Sequence, residues 1–271
     1  MFTRSFSKPI NVCITLYLHK YVRGGRQMFI LQLSKVKIKA VTLAVLFISL
    51  TIIDVRSMGV SRLDLPVPLE RVVTNEKVIA LTINVDWGEE FIPAMLDELE
   101  KYDAKVTFFV TGRWAKNNSE MIKIIDSKGH QIENHGYYHS HPDKLPVSKT
   151  QEEIMATDKV IVGITGKKTN YYAPPYGERG PNGLQAASEL GYTTVLWTLD
   201  TVDWKPESTP EVIAQRILEP KIRYGVKPEK NGAIVLMHPK ENTLLALPLI
   251  LSRLKNEGFD IVSIEKLITS G

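Results

Sequence analysis

Residues 78–86, which read VIALTINVD, decide the fold of this chain. The largely apolar run predicts a strand that is buried on both faces, as in a parallel sheet covered by helices. The run ends at the polar residues Asn84 and Asp86. Active sites of parallel α/β barrels are built beyond the carboxyl ends of the strands, so this strand end is a candidate functional site.

Strand-like and helix-like segments alternate through the rest of the chain. Their patterns predict further strands at 105–111, 131–134, 171–173, 193–199, 232–237 and 259–263. They predict helices at 91–102, 118–128, 151–164, 182–190, 209–218 and 243–257. Repeated strand–helix units are typical of an α/β fold with a parallel sheet. About seven units fit between residues 78 and 268, which favours a barrel-like closure over a two-layer fold.

The stretch 132–142, IENHGYYHSHP, holds three of the six histidines. His135 and His139 are four residues apart, and on one turn of helix that spacing places both imidazoles on one face, close enough to share a metal ion. Asp86, at the end of another strand, would suit as a third ligand. The alternative is chance clustering of surface histidines near a turn, because an HxxxH pair without context is a weak signal.

Polar residues follow the carboxyl ends of five predicted strands. They are Asn84, Asp86, His135, His139, Tyr176, Asp203 and His238. One or two such positions would mean little, but five strand ends in a row favour a metal or catalytic site at one rim of the barrel.

Composition excludes several kinds of site. The 271 residues are 44% hydrophobic and 24% charged, which suits one large globular domain. The net charge of +4 arises mainly in residues 1–39, which hold eight Lys or Arg and no Asp or Glu. The body of the chain is close to neutral, and because its basic residues do not cluster with aromatics, we predict no nucleic-acid surface. Cys13 is the single cysteine, so a metal site in the folded part would have to use His and carboxylate ligands.

The front of the chain is typical of an export signal. Fourteen mostly apolar residues at 40–53 follow three lysines. The run is shorter than the ~20 residues of a comfortable membrane span. No clear cleavage site follows it, so a signal peptide and an uncleaved anchor both stay open. We therefore predict a basic segment with a signal peptide or signal anchor at 1–56, a linker at 57–77 and the α/β domain at 78–268. A start at Met28 would give a basic region of ordinary length, and we predict Met28 as the true start.

The motifs at the strand ends, taken in order, resemble the NodB-homology domain of the polysaccharide deacetylases, carbohydrate esterase family 4. The resemblance covers residues 76–268. The first motif, NVDWGEE at residues 84–90, is most similar to the Bacillus-type sporulation branch and its YlxY-like members. The resemblance implies a distorted (β/α)7 barrel of the NodB type.

The resemblance also implies a role for each matching residue. Asp86, His135 and His139 take the places of the metal ligands, with Zn²⁺ as the expected metal and Co²⁺ as an alternative. His238 takes the place of the acid that protonates the leaving amine. The remaining matches are Asp203 of the Asp-Trp motif, Tyr176 with its oxyanion-binding backbone N–H, and Trp204 and Leu236 as walls of the acetyl pocket.

Two departures from the family pattern concern the catalytic base. Asn84 stands where the family has the base Asp, and Asn cannot accept a proton at neutral pH. Ala173 replaces the arginine that pairs with that base. The loss of the arginine is consistent with the loss of the aspartate, because a buried arginine without an anionic partner would be costly. The metal ligands of the site are therefore expected to be intact and its catalytic base to be lost. Asp203, Glu89 or Glu90 could act as the base instead, but the sequence does not show which of them lies near enough.

The resulting expectation is a metal-dependent hydrolase that removes N-acetyl groups from cell-wall or related polysaccharide, such as peptidoglycan or a chitin-like N-acetylglucosamine polymer. The alternative is an impaired relative that keeps the metal and binds glycan without turning it over. A purely structural exported protein is the third and remotest interpretation. We expect a monomer on the outer face of the cytoplasmic membrane or in the cell wall, tethered through the N-terminal segment.

Overall fold

The computed structural model describes residues 18–23, 26–31, 65–222 and 225–271. The chain divides into two units, Met1–Asp64 and Leu65–Gly271. The first contains an antiparallel pair of strands, β1 (Leu18–Arg23) and β2 (Arg26–Leu31). The apolar run at 40–53 and residues 57–64 of the predicted linker lie outside the described residues. Among the described helices, none combines the length and apolar character that crossing a membrane requires.

The second unit contains the predicted alternation of strands and helices. Its strands are β3 (Val78–Val85), β4 (Thr107–Val110), β5 (Gln131–Asn134), β6 (Tyr171–Tyr172), β7 (Thr193–Thr194), β8 (Leu199–Asp200), β9 (Ala233–Met237) and β10 (Asp260–Val262). Its helices are α1 (Ile92–Lys101), α2 (Gly112–Asn117), α3 (Ser119–Ser127), α4 (Val147–Thr165), α5 (Pro181–Glu189), α6 (Pro210–Leu218), α7 (Glu241–Asn256) and α8 (Ile264–Ile268).

The strands form one sheet in the order β7-β6-β5-β4-β3-β9-β8, and every pair along it is parallel. The last strand, β10, pairs in parallel with the first half of β3. The segment before β3 also bridges to two places in the sheet. Leu69 bridges to Val195 beside β7, and Arg71 bridges to Ala233 in β9. The predicted barrel-type α/β architecture is confirmed.

The central strand β3 separates two cores. Its odd-numbered side chains, residues 79–85, are buried in the large cluster that the sheet forms with the outer helices. Val78 and Ala80 face the opposite way, into a smaller cluster with residues of α8. Because side chains alternate along a strand, Asn84 shares this inner face and lies at its carboxyl end. The strand that fixes the core therefore also delivers a polar side chain to the interior of the barrel.

Two predicted elements differ from the structure. The predicted strand at 193–199 is two short strands, β7 and β8, at opposite ends of the sheet, and the residues between them cross from one end to the other. The segment reads as one strand because two of the crossing residues, Val195 and Leu196, are buried as well. The predicted strand at 105–111 ends early, because the Thr111 side chain accepts a hydrogen bond from the Trp114 N–H and caps helix α2. The sequence pattern did not predict α2.

Residues 65–77, in the predicted linker, contact the sheet. Leu69 donates its backbone N–H to the Thr194 carbonyl at 2.8 Å, and Val72 donates to the Gly232 carbonyl at 2.8 Å. Leu69 and Val72 also pack against the inner core. The domain boundaries inferred from the sequence stay a prediction.

Candidate functional site

A cavity of about 430 Å³ opens at the carboxyl ends of the central strands. It collects eight of the nine residues that the sequence singles out: Asn84, Asp86, His135, His139, Tyr176, Trp204, Leu236 and His238. The ninth, Asp203, lies behind His238 and is bonded to it. Residues that are up to 154 positions apart in the chain, Asn84 and His238, thus meet at one rim, as expected for a parallel barrel.

The two candidate ligand histidines are brought together by a loop. His135 follows β5 and donates its backbone N–H to the Val110 carbonyl at 3.0 Å. Gly136 and His139 then adopt left-handed φ angles of 74° and 57°, which a helix does not allow. The ring centroids of His135 and His139 lie 4.9 Å apart. The helical geometry assumed from the i, i+4 spacing is therefore wrong, although the two imidazoles do meet.

His135 is held in the form that a metal ligand requires. Its ring Nδ1–H donates to the Ala173 carbonyl at 2.6 Å, which leaves Nε2 as the nitrogen with a free lone pair. Burial lowers the pKa of His135 to about 3, so the ring is neutral at physiological pH. Burial also lowers the pKa of His139. Two neutral imidazoles and one carboxylate fit a zinc-type ion in donor chemistry.

The third candidate ligand, Asp86, already has partners. Arg113 binds it with two groups, Nε to Oδ1 at 2.8 Å and Nη2 to Oδ2. The Thr111 hydroxyl donates to Oδ1 at 2.7 Å. Burial raises the pKa of Asp86, but the hydrogen bonds from Arg113 and Thr111 outweigh it and hold the pKa below its ordinary value. Within residues 65–222 and 225–271, no three His, Cys, Asp or Glu side chains form a group that could hold a metal ion as they stand.

His238 is oriented by a buried carboxylate. Its ring Nδ1–H donates to Asp203 Oδ1 at 2.7 Å, and its backbone N–H donates to Asp203 Oδ2, also at 2.7 Å. The Thr243 hydroxyl donates to the same Oδ2 at 2.8 Å. Burial raises the pKa of Asp203, but the hydrogen bonds and charge of His238 outweigh it, so the net shift is downward. Asp203 therefore stays ionised behind His238, whose Nε2 is left for the cavity.

Asn84 lies near the carboxyl end of β3, and one of its side-chain atoms lacks a hydrogen-bond partner in the part of the chain that the structure describes. The residue is buried, and its Oδ1 has no hydrogen-bond partner among the described residues. Ala173, at the position of the missing arginine, is also buried and packs in the inner core. A buried acceptor without a partner costs roughly 1–3 kcal/mol, so its persistence at the floor of a cavity is typical of a functional position.

Tyr176 lies in a strained turn between two histidines. Its φ of 61° is left-handed, which is uncommon for a residue other than glycine. Its ring stacks on His141 at a centroid distance of 3.8 Å and meets His139 edge-on at 4.6 Å. Gly177 follows with φ 64°, and a Cβ there would lie 2.4 Å from the Trp197 ring. The histidine rings and Trp197 thus hold the turn in place, and Tyr176 lines the cavity.

Several side chains of the site were missed in the sequence. Trp87, Trp197 and Asp200 line the cavity, and Arg113 binds Asp86. Trp87 stacks on His238 with ring centroids 6.2 Å apart and planes 13° apart. It stands in the first motif, and Arg113 follows the end of β4, so the same rule of strand ends could have found both. Trp197 belongs to the crossing segment, whose path the sequence does not reveal.

Comparison with known proteins identifies the class of this chain. A polysaccharide deacetylase family model matches residues 71–195. The chain is 34% identical over 203 residues to the uncharacterised protein YlxY of Bacillus subtilis (strain 168), and the match covers 75% of this chain and 61% of YlxY. It is 32% identical over 197 residues to the peptidoglycan-N-acetylmuramic acid deacetylase PdaA of the same organism, with 72% and 73% covered.

The structure is similar to that of a family 4 carbohydrate esterase pseudoenzyme from Bacillus anthracis, at 35% identity and a TM-score of 0.69, covering 76% of this chain and 70% of that chain. A mutant of that protein with restored enzymatic activity gives the same TM-score at 34% identity, covering 76% and 72%. The fold is thus that of the family 4 carbohydrate esterases. This chain belongs to the polysaccharide deacetylase family, as its motifs indicated. It spans less than two thirds of the length of YlxY.

Proposed function

We propose that this chain binds N-acetylated cell-wall polysaccharide, such as peptidoglycan, and removes N-acetyl groups from it in a metal-dependent reaction that is slow because Asn84 replaces the base. The observation that carries this proposal is the convergence on one cavity of His238, its carboxylate partner Asp203 and the donors Asp86, His135 and His139. PdaA, a relative that shares 32% identity, acts on peptidoglycan N-acetylmuramic acid, which supports the substrate class.

The exposed aromatic side chains support a sugar ligand. Trp87, Tyr176 and Trp204 are all more than 40% exposed, yet each lines this one cavity. Exposed aromatic rings that surround a cavity are typical of a binding surface for a ligand that is apolar on one face and polar at its edge. A pyranose ring has that character. We therefore propose that the sugar stacks on this rim with its acetamido group pointing inward.

Each residue of the chain then has a defined task. In its imidazolium form, His238 would donate its Nε2 proton to the departing amine and end as the Nδ1–H tautomer that is bonded to Asp203. The Tyr176 backbone N–H would donate to the acetyl oxygen as negative charge develops there. A divalent ion, expected to be Zn²⁺, held by Asp86, His135 and His139 would lower the pKa of a water and polarise the acetyl carbonyl. Leu236 and Trp204 would border the acetyl methyl group.

Asn84 favours a second candidate function, glycan binding without turnover. A neutral amide accepts no proton from water at neutral pH, and both oxygens of Asp203 are already bonded to His238 or Thr243. A relative of similar structure is a pseudoenzyme, and a mutant of it has restored activity. This candidate keeps the same ligand and the same cavity, and differs only in the chemical step.

Acetate release separates the two candidates. The full chain, loaded with Zn²⁺ or Co²⁺, is incubated with N-acetylglucosamine oligomers and with peptidoglycan, and free acetate is counted against a metal-free blank. Slow release above the blank supports the deacetylase. Binding of the glycans without any acetate supports the second candidate, and the absence of both binding and acetate would contradict both.

The cellular setting is part of the same proposal. We propose an exported protein that acts as a monomer at the outer face of the cytoplasmic membrane or in the cell wall, tethered through residues 1–56. The basic residues and the apolar run at 40–53 support this setting. Fractionation of cells that produce the native chain, with detection in the membrane, wall and soluble fractions, tests it. Recovery in the soluble cytoplasmic fraction would contradict it.

A further inference from the structure

Arg113 holds the one carboxylate that the candidate metal site needs. Two groups of its guanidinium bond to both oxygens of Asp86. This is the bidentate arrangement in which an arginine binds a carboxylate most strongly. A metal ion bound to His135 and His139 would require the same carboxylate oxygens. The arginine and the ion are thus two cations with one anionic partner.

The exposure of the two partners is unequal. The Asp86 side chain is only 10% exposed, whereas the Arg113 side chain is 46% exposed. When the pair separates, the guanidinium can therefore move into water at little cost, whereas the carboxylate stays in the cavity. The unfavourable alternative, a buried arginine left without a partner, does not arise. The difference in exposure therefore favours the release of Arg113 from Asp86.

Asp86 keeps an independent support when Arg113 leaves. The Thr111 hydroxyl donates to Asp86 Oδ1 at 2.7 Å from the cap of helix α2. The backbone at Arg113 is also fixed without its side chain, since its N–H donates to the Tyr137 carbonyl at 3.1 Å. The neighbouring Gly112 N–H donates to the Gly136 carbonyl at 2.9 Å. Loss of the guanidinium would therefore leave both the carboxylate and the histidine loop in place.

We propose that Arg113 competes with the metal ion for Asp86, so that the site alternates between a form closed by arginine and a form open to a divalent ion. This inference rests on the metal part of the proposed function. Its consequence is that the chain binds the ion more weakly than its two imidazoles and one carboxylate would otherwise allow. In the closed form, the guanidinium of Arg113 also balances the negative charge of Asp86 while no ion is bound.

Metal affinity tests the competition directly. The probes are Zn²⁺, measured by competition with a chromogenic chelator, and Co²⁺, measured by its visible absorption. Arg113→Met removes the charge and keeps the aliphatic stem. The dissociation constant should fall by about tenfold or more, because hydrogen bonds to a charged group are among the strong ones. Arg113→Lys keeps a charge but loses the two-pronged contact and should give a smaller decrease.

Lys116→Met provides the matched control. Lys116 is an exposed cation on the same helix and is not among the described residues that bond to Asp86, which are Arg113 and Thr111. Its loss should leave the dissociation constant unchanged, which excludes a general effect of net charge. If Arg113→Met instead weakens binding by about 10- to 100-fold, Arg113 orients Asp86 as an outer-shell partner and the competition is refuted. Equal affinity in both proteins would also refute it. If His135→Ala and the parent both fail to bind any ion, the metal part of the proposed function fails as well.

A second measurement does not depend on a variant that folds well. Thermodynamic linkage requires that an ion which displaces Arg113 also frees its guanidinium. Saturating Zn²⁺ should therefore raise the rate at which phenylglyoxal modifies Arg113, followed by peptide mass spectrometry. Arg179, an exposed arginine paired with Glu70, serves as the internal reference. Unchanged or slower modification of Arg113 with Zn²⁺ would overturn the proposal.

Discussion

Asp203 and His238 are joined twice: the ring Nδ1–H and the backbone N–H of His238 each donate to one oxygen of Asp203, both at 2.7 Å. This double contact fixes the ring orientation and keeps a proton on Nδ1, so that Nε2 is the nitrogen that can exchange a proton in the cavity. Replacing Asp203 by Asn should reverse the ring hydrogen bond, so that Nε2 carries the proton. Nitrogen chemical shifts of the His238 ring should show the Nδ1–H tautomer in the parent and the Nε2–H tautomer in Asp203→Asn. Acetate release should fall by about 100-fold or more.

Asp200→Asn is the matched control for this change. Asp200 lines the same cavity, and its carboxylate accepts the Val202 N–H rather than a histidine proton. The His238 tautomer should be unaffected by it. An Nε2–H tautomer already present in the parent would contradict the assigned direction of the bond.

Trp87 should contribute to glycan affinity. Its ring is 44% exposed at the cavity rim and stacks on His238 from one side, while Lys240 lies over it at 5.5 Å. Trp87→Ala should weaken binding of N-acetylglucosamine oligomers by about tenfold, since truncating a central aromatic typically costs more than about 1 kcal/mol. Calorimetric titration measures the change. Tyr138→Ala, which removes an exposed aromatic outside this cavity, should leave the affinity unaltered.

His130 should make the protein less stable in mild acid. Burial lowers its pKa to about 4 from an ordinary value of 6.5, and its Nδ1 accepts the Val106 N–H. Between these two pH values the unfolded chain binds a proton that the folded chain does not. The free energy of unfolding should therefore decrease as the pH falls from 6.5 to 4, by on the order of 3 kcal/mol from this group.

His130→Gln isolates that contribution, because glutamine has an acceptor for the Val106 N–H and does not titrate. Urea unfolding at several pH values, with a chelator present, should show a shallower loss in the variant than in the parent. His135, which is buried and neutral as well, adds the same pH trend to both proteins and cancels in the difference. Identical pH profiles would show that His130 does not contribute.

Gly88 should tolerate no side chain. It has a φ of 84°, and a Cβ would lie 2.1 Å from the carbonyl oxygen of Pro239, the residue after His238. Gly88→Ala should lower the free energy of unfolding by about 1–3 kcal/mol more than Gly166→Ala does. Gly166 has a similar φ of 73° but no neighbour within 4 Å of its Cβ position, so it reports the backbone strain alone. Equal losses in urea denaturation would contradict the proposed crowding.

Much of the fold could be predicted because its strands are long or end at distinctive residues. The strand β3 is recognisable from its apolar run alone. The helices α1 and α7 are recognisable from the spacing of their apolar residues and from the residues that end them. The two-residue strands β7 and β8 are not, since tertiary pairing at the sheet ends defines them rather than their own sequence. The short helix α2 depends on a single cap at Thr111, which a strand-like pattern conceals.

The sequence could predict which residues form the site, but not how they are arranged. Topology gathers all strand ends at one rim, so residues such as Asn84, His135 and His238 could be chosen without knowing the path between them. The left-handed backbone at His139, the bond between Asp203 and His238, and the grip of Arg113 on Asp86 depend on distances between distant segments. No local pattern encodes them.

We propose that the site has kept its proton donor and its metal ligands and has lost its base at Asn84. Acetate release from N-acetylglucosamine oligomers, compared at equal zinc content between the parent and the Asn84→Asp/Ala173→Arg protein, tests it most directly. Asn84→Asp alone serves as the companion, because Ala173 is buried and a larger side chain there must be accommodated. We predict a rate at least about 100-fold higher in the double variant, as expected for a restored general base. A folded, zinc-loaded double variant that releases acetate no faster than the parent would contradict the claim.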